Sequence, residues 1–172
     1  MSATEVREEQ PGDIQRVREL NLLAFGQPEE ADIVDRLRHN CGDILSLVSL
    51  KENTVVGHLL FSPIVIEGDG EPVWGMALGP MAVLPEFQRQ GIGSELMRTG
   101  ISQMKKRGCP FLILIGHPEY YPRFGFLPAR GLGIDCEWEV PDEAFMMLVL
   151  DKSAMKGVTG TAKYRPEFSG GM

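Results

Sequence analysis

The sequence predicts a mixed α/β fold: a mostly antiparallel central sheet flanked by helices. Three observations predict it. Two helical stripes, in residues 11–24 and 29–39, follow a short first strand. Three runs rich in Val, Ile and Leu, residues 44–50, 54–66 and 73–84, are joined by short polar links and read as antiparallel neighbours. A third helical stretch, residues 91–106, separates the last of these from an apolar run at 111–115, which makes a right-handed crossover between parallel strands.

Each element has its own warrant. Val6 lies in the first strand, and Pro11-Gly12-Asp13 opens the first helix, whose apolar Ile14, Val17, Leu20, Leu23 and Ala24 recur at helical spacing. Gly26-Gln27-Pro28 interrupts it, and Ile33, Val34 and Leu37 line one face of the second helix. Lys51-Glu52-Asn53 turns a hairpin, and the segment from Glu67 to Pro72 is a turn by composition. In the third helix Ile92, Leu96, Met97, Ile101 and Met104 share a broad face. Gly108 ends that helix, and Lys105, Lys106 and Arg107 suit its negative end. The uninterrupted apolar run at 111–115 fits a strand buried on both faces. Pro118 starts a short helix to about Arg123. Residues 134–138 and 145–150 are the final strands, and beyond Asp151 the chain is polar and glycine-rich, with Tyr164, Pro166 and Phe168 as anchors.

Composition narrows the function. A chain of 172 residues is most simply one domain, and 43% hydrophobic with 24% charged residues is ordinary for a soluble globular protein. No apolar run approaches the roughly 20 residues needed to cross a bilayer. The polar start, Met1 to Arg7, is unlike a secretory signal, so a cytoplasmic location and no membrane partner are expected. The net charge of −7 argues against a nucleic-acid partner and suits a cationic amine. Cys41, Cys109 and Cys136 show no metal-ligand spacing and read as free buried thiols, so no metal is expected.

The chemistry lies in Gln88-Arg89-Gln90-Gly91-Ile92-Gly93-Ser94. A strand, a glycine-containing loop and a helix N-terminus make an anion site, because the first helical amides have no internal partner and the helix dipole favours negative charge there. Gly91 and Gly93 remove side chains that would keep a phosphate from the backbone. Ser94-Glu95 follows Gly93 where a Walker A loop needs Lys-Ser/Thr, which argues against ATP and GTP. A dinucleotide fingerprint needs three glycines early in a βαβ unit, and only Gly91 and Gly93 fit, in mid-chain.

The spacing instead matches Q/R-x-x-G-x-G/A, with Gln88, Gly91 and Gly93 in the three places. With the segment from Ala77 to Pro85 before it, and Tyr121-Pro122-Arg123-Phe124-Gly125-Phe126 after it, the chain resembles the GNAT superfamily of N-acetyltransferases. The resemblance covers about residues 3–150. It implies acetyl-CoA as co-substrate and a domain over residues 1–150, with 151–172 a C-terminal extension packed on it or trailing from it. It also implies a central strand pair that splays, so that the pantetheine arm enters the gap. Pro80, which cannot donate to a ladder, sits where the splay should begin. Met81 is the expected amide for the thioester oxyanion, with Ala82 and Val83 beside the cofactor. The diphosphate is expected on Gln88, Arg89, Gln90, Gly91, Ile92, Gly93 and Ser94.

The motif Y-x-x-x-G-F places Tyr121 as the residue that protonates the leaving thiolate, with Tyr120 the neighbour most easily confused with it. The family often carries a carboxylate base on the strand before the loop, but residues 76–83 hold none. His117 and Glu119 lie nearest in sequence but read sooner as helix-start residues facing solvent, so the base is unassigned and water-mediated deprotonation is expected. Trp74 and Trp138 are candidates for an acceptor pocket or for packing. The expected activity is acyl-CoA-dependent N-acyl transfer to a small-molecule or protein amine, with a non-catalytic acyl-CoA binder as the alternative. A homodimer is plausible by resemblance.

Overall fold

The computed structural model describes residues 3–169. Among them nine strands form a mostly antiparallel sheet with helices, a mixed α/β fold as the sequence predicts. The strands are β1 (Thr4–Glu8), β2 (Leu45–Lys51), β3 (Thr54–Glu67), β4 (Val73–Val83), β5 (Phe111–Ile115), β6 (Leu127–Pro128), β7 (Ile134–Cys136), β8 (Phe145–Val149) and β9 (Gly160–Lys163). The helices are α1 (Ile14–Phe25), α2 (Glu29–Asn40), α3 (Ile92–Lys106) and the short α4 (Lys152–Met155). Over the described residues the chain divides into two compact units, 3–62, 79–102 and 166–169 in the first, 63–78 and 103–165 in the second.

In the first unit β1 pairs antiparallel with β2, from Thr4 opposite Lys51 to Glu8 opposite Leu47. The hairpin of β2 and β3 turns at Glu52 and Asn53, with φ of 52° and 63°; two left-handed residues match the twist of the strands they join. Glycines let α3 lie close to this sheet. A Cβ on Gly57 would come within 2.9 Å of Ile92 Cγ2, and one on Gly100 would overlap the Phe61 ring. The face of α3 predicted apolar is buried at Ile92, Leu96 and Met97. Val17 and Leu20 of α1 and Ala31, Val34 and Leu37 of α2 are buried too.

A chain of ion pairs links α1 and α2 to Glu9, the residue after β1. Arg18 meets Asp32 at 3.0 Å and Asp35 at 2.6 Å, and Arg38 meets Asp35 at 2.9 Å and Glu9 at 2.6 Å. His58 is fully buried on β3. The Asn21 side-chain nitrogen faces its Nδ1 at 3.3 Å, so Nε2–H donates to Ser46 Oγ at 2.9 Å. Burial, with the positive charge of Arg38 second, pushes the imidazole down to about 3.

In the second unit Met76 and Ala77 of β4 pair in parallel with Leu112 and Ile113 of β5. Strand β5 pairs antiparallel with β8 along its length, and β8 pairs with β6. Strand β9 lies antiparallel to Val65–Glu67 of β3 and parallel to β7. Ile64, Ile66, Phe111, Ile113, Phe145 and Met147 form the core, together with Met155 and Ala162 from the segment after Asp151. The polar tail therefore supplies a strand and two core side chains that its composition hides. Residues 170–172, the end of the expected extension, lie outside the described residues.

Three local expectations differ from the structure. The helix expected from Pro118 is a single 3-10 turn, Tyr121–Phe124, with Pro122 in its first turn. The strand expected over 134–138 ends at Cys136, where the Trp138 amide turns back to Cys136 Sγ at 3.4 Å. Ile115 is 39% exposed, so β5 is not buried on both faces at its end. All three cysteines are free; Cys41 and Cys136 are buried and Cys109 is half-buried.

Candidate active site

The residues expected at the site fall on a continuous segment of the first unit and on one turn of the second. In the first, the end of β4 is tied down where Leu84 N donates to Val56 O at 2.9 Å. Met81 and Val83 are half-buried and Ala82 is buried. A 3-10 turn, Pro85–Phe87, follows, and Gln88 Nε2 reaches back to Val83 O at 3.1 Å. Gln88, Arg89, Gln90 and Gly91 are then exposed.

Two residues of this loop are left-handed, Arg89 at φ 63° and Gly91 at φ 84°. A non-glycine residue in that region is held at a cost of order 1 kcal/mol, and such strain gathers at ligand-binding loops. A Cβ on Gly91 would meet no protein atom within 4 Å. The glycine is needed for its φ and leaves the space over the loop open, rather than relieving a crowded neighbour. Glu95 N donates to Gly91 O at 3.0 Å and closes the first turn of α3. The amides of Ile92 and Gly93, ahead of that bond, have no carbonyl four residues back within the helix. Chemically, this is a cradle for an anion.

In the second unit, β5 leads into Gly116, whose amide donates to Ala144 O at 2.9 Å. The amides of Tyr120 and Tyr121 both point to His117 O, at 3.1 and 3.5 Å. Gly125, left-handed at φ 98°, closes the turn through Pro122 O at 2.9 Å. The ring of Tyr121 lies directly over Gly116, where a Cβ would come within 2.5 Å of Tyr121 Cε2. Tyr120 at 5.0 Å and Phe126 at 6.2 Å meet the Tyr121 ring edge-on. Burial, and secondarily Tyr120, pushes the Tyr121 phenol up to about 12, so it stays protonated at any working pH. Its hydroxyl has no hydrogen-bond partner among the described residues.

His117 and Glu119 are exposed and His39 is exposed as well, whereas His58 is sealed in the first unit. Trp74 is 60% exposed, and Trp138 stacks on Tyr164 with centroids 4.6 Å apart. Sequence reasoning missed two features. One is Gly116 as the seat of Tyr121; its signal was a glycine directly after an apolar strand. The other is an open hollow of about 660 Å³ in the second unit, lined by Arg130, Asp135, Glu137, Trp138, Glu139 and Asp142. Arg130 pairs there with Asp135 at 2.9 Å and Asp142 at 2.6 Å. Among the described residues no cluster of His, Cys, Asp and Glu could hold a metal ion, and no helix is long and apolar enough to cross a membrane.

Residues 5–129 match the acetyltransferase (GNAT) domain. The chain belongs to the GNAT acetyltransferase family. Two curated relatives in this family come from Escherichia coli. The uncharacterized N-acetyltransferase YjhQ of strain K12 is 37% identical over 76% of this chain and 74% of its own length. The uncharacterized N-acetyltransferase YhbS of the same strain is 32% identical over 95% of this chain and 98% of its own. Among solved GNAT structures, E. coli YhbS in complex with CoA superposes with a TM-score of 0.91 at 29% identity, over 98% of this chain and 93% of that one. A GNAT acetyltransferase from Brucella melitensis in complex with acetyl-CoA gives 0.78 at 31% identity, over 98% and 99%.

Proposed function

We propose that this GNAT protein transfers an acetyl group from acetyl-CoA to an amine, by direct attack within a ternary complex. The observation that carries the catalytic step is the Tyr121 phenol: half-buried, protonated, seated on Gly116 and without a hydrogen-bond partner among the described residues. Support for the co-substrate comes from the left-handed loop at Arg89 and Gly91 opening α3, and from the CoA and acetyl-CoA held by the two related structures.

In this reading the loop from Gln88 to Ser94 binds the diphosphate, and the strand from Met81 to Val83 receives the pantetheine arm. Water removes a proton from the ammonium. The freed amine adds to the thioester carbonyl, and the Met81 amide stabilises the oxyanion. The carbon–sulfur bond then breaks as the departing sulfur takes the Tyr121 proton, and the nitrogen passes its extra proton through water to the tyrosinate, which leaves the neutral amide and restores the phenol. Residues 1–150 carry this chemistry, and residues 151–172 serve as a structural extension.

Calorimetric titration with acetyl-CoA, followed by thiol release across an amine panel, tests the reading. Tyr121→Phe should bind acetyl-CoA as the parent does and lose turnover by 100-fold or more, within the range for a positioned acid of about 10²–10⁴. Binding of acetyl-CoA without turnover toward any amine would make the protein a CoA-binding regulator instead.

A further inference from the structure

The Tyr121 ring is held more by side chains than by its own backbone. The Tyr121 amide reaches His117 O only at 3.5 Å, a long bond, and Pro122 has no amide hydrogen to add. The turn is of the 3-10 kind, whose hydrogen bonds are poorer than those of an α-helix. Ring packing must therefore fix the rotamer. Beyond the seat on Gly116, two aromatic rings meet Tyr121. Tyr120 is the nearer, with centroids 5.0 Å apart and planes at 86°, and Phe126 lies at 6.2 Å.

Tyr120 is itself gripped by Arg123. The guanidinium carbon lies 4.5 Å from the Tyr120 ring centroid, and Nε donates to Tyr120 O at 2.8 Å. One side chain thus ties the ring and the carbonyl of the same residue, while Phe124 meets that ring at 5.4 Å. All of these residues belong to the second unit. Tyr120 is half-buried and Arg123 is exposed. A cation over a ring at the surface adds little to the stability of a fold, but it is enough to bias a side chain between rotamers.

We propose that Tyr120 is a positioning residue: its ring, locked by Arg123, packs edge-on against Tyr121 and keeps the Tyr121 hydroxyl aimed at the departing thiolate. This rests on the reading of Tyr121 as the acid. The two adjacent tyrosines then differ in kind. Tyr121 gives a proton, whereas Tyr120 acts through its ring and not its hydroxyl.

The test is thiol release from acetyl-CoA with the most active amine of the panel. Tyr120→Leu should lower kcat about three- to tenfold, as expected for loss of an edge-on aromatic pair, and leave KM for acetyl-CoA unchanged. Arg123→Ala should lower kcat about two- to fivefold, and it decides the matter if Tyr120→Leu does not fold. Tyr120→Phe, which keeps the ring, should restore most of kcat. In a Tyr121→Phe background no proton remains to be aimed, so Tyr120→Leu and Arg123→Ala should cause no further loss of the residual turnover. A further loss there of the same size, or a Tyr120→Phe as slow as Tyr120→Leu, would overturn the positioning role and leave Tyr121 as the acid. Parental kcat in both Tyr120→Leu and Arg123→Ala would do the same. Parental turnover by Tyr121→Phe, or none by the parent toward any amine, would overturn the acid reading and this proposal together.

Discussion

At the residue scale, the structure explains how the Tyr121 phenol is held in place. Tyr121 is fixed from below by the absence of a side chain at Gly116, where a Cβ would intrude to 2.5 Å from Cε2. Gly116→Ala must therefore displace the ring, an overpacking cost of about 1–3 kcal/mol if the backbone yields. The expected outcome is a fall in kcat well beyond any change in KM for acetyl-CoA, because the loop at Gly91 is untouched. Steady-state kinetics with both substrates checks this. The raised pKa has a sign that can be followed. Folded Tyr121 holds its proton to about 12, whereas an unfolded tyrosine releases it near 10, so stability is intact below pH 10 and falls as pH rises from there towards 12.

At the scale of elements, the buried trio of Asn21, Ser46 and His58 ties α1 to β2 and β3. His58 must be neutral in the fold, with its pKa near 3, but it is protonated below about 6.5 once unfolded. Stability from this source is complete above pH 6.5 and declines as pH falls towards 3, by at most about 1.4 kcal/mol per pH unit. His58→Gln, which keeps a hydrogen-bonding side chain, should lower stability at pH 7 and flatten the acid slope. Urea midpoints at pH 7 and pH 5 measure both effects. An unchanged slope would mean that other groups govern the acid limb. The same trio shows why sequence alone gave His58 no role: its neighbours are 12 and 37 residues away, and no local pattern brings them together.

At the scale of the whole molecule, the legible parts were those that repeat or punctuate. Helical stripes found α2 and α3 to within a residue and set the start of α1 three residues early, because Pro11–Asp13 is a 3-10 turn; apolar runs between polar turns found β2, β3 and β4. The turn at Gly91 was legible because a glycine between a strand and a helix has a backbone purpose, and the left-handed φ of Gly91 meets it. Strands β6 and β9 were not legible. The first is two residues long, and β9, Gly-Thr-Ala-Lys, holds its place by backbone hydrogen bonds that leave little trace in side-chain pattern. The 3-10 turn at Tyr121 was misread as a helix because a proline at the start of a turn signals either. The seat of Tyr121 on Gly116, five residues back, depends on how the intervening turn folds, which spacing alone does not encode.

Strand β9 closes two ladders at once, giving partners to Val65–Glu67 and to Ile134–Cys136. A chain cut back to residue 150 would keep every residue proposed for chemistry, yet it would bare the hydrogen-bonding edges of both strands and uncover the core where Met155 and Ala162 were. Bare edges recruit other chains. Such a shortened protein should scatter light and sediment within hours at concentrations where the full chain stays clear, an outcome that would make the stretch from Met155 to Lys163 the molecule's guard against self-association.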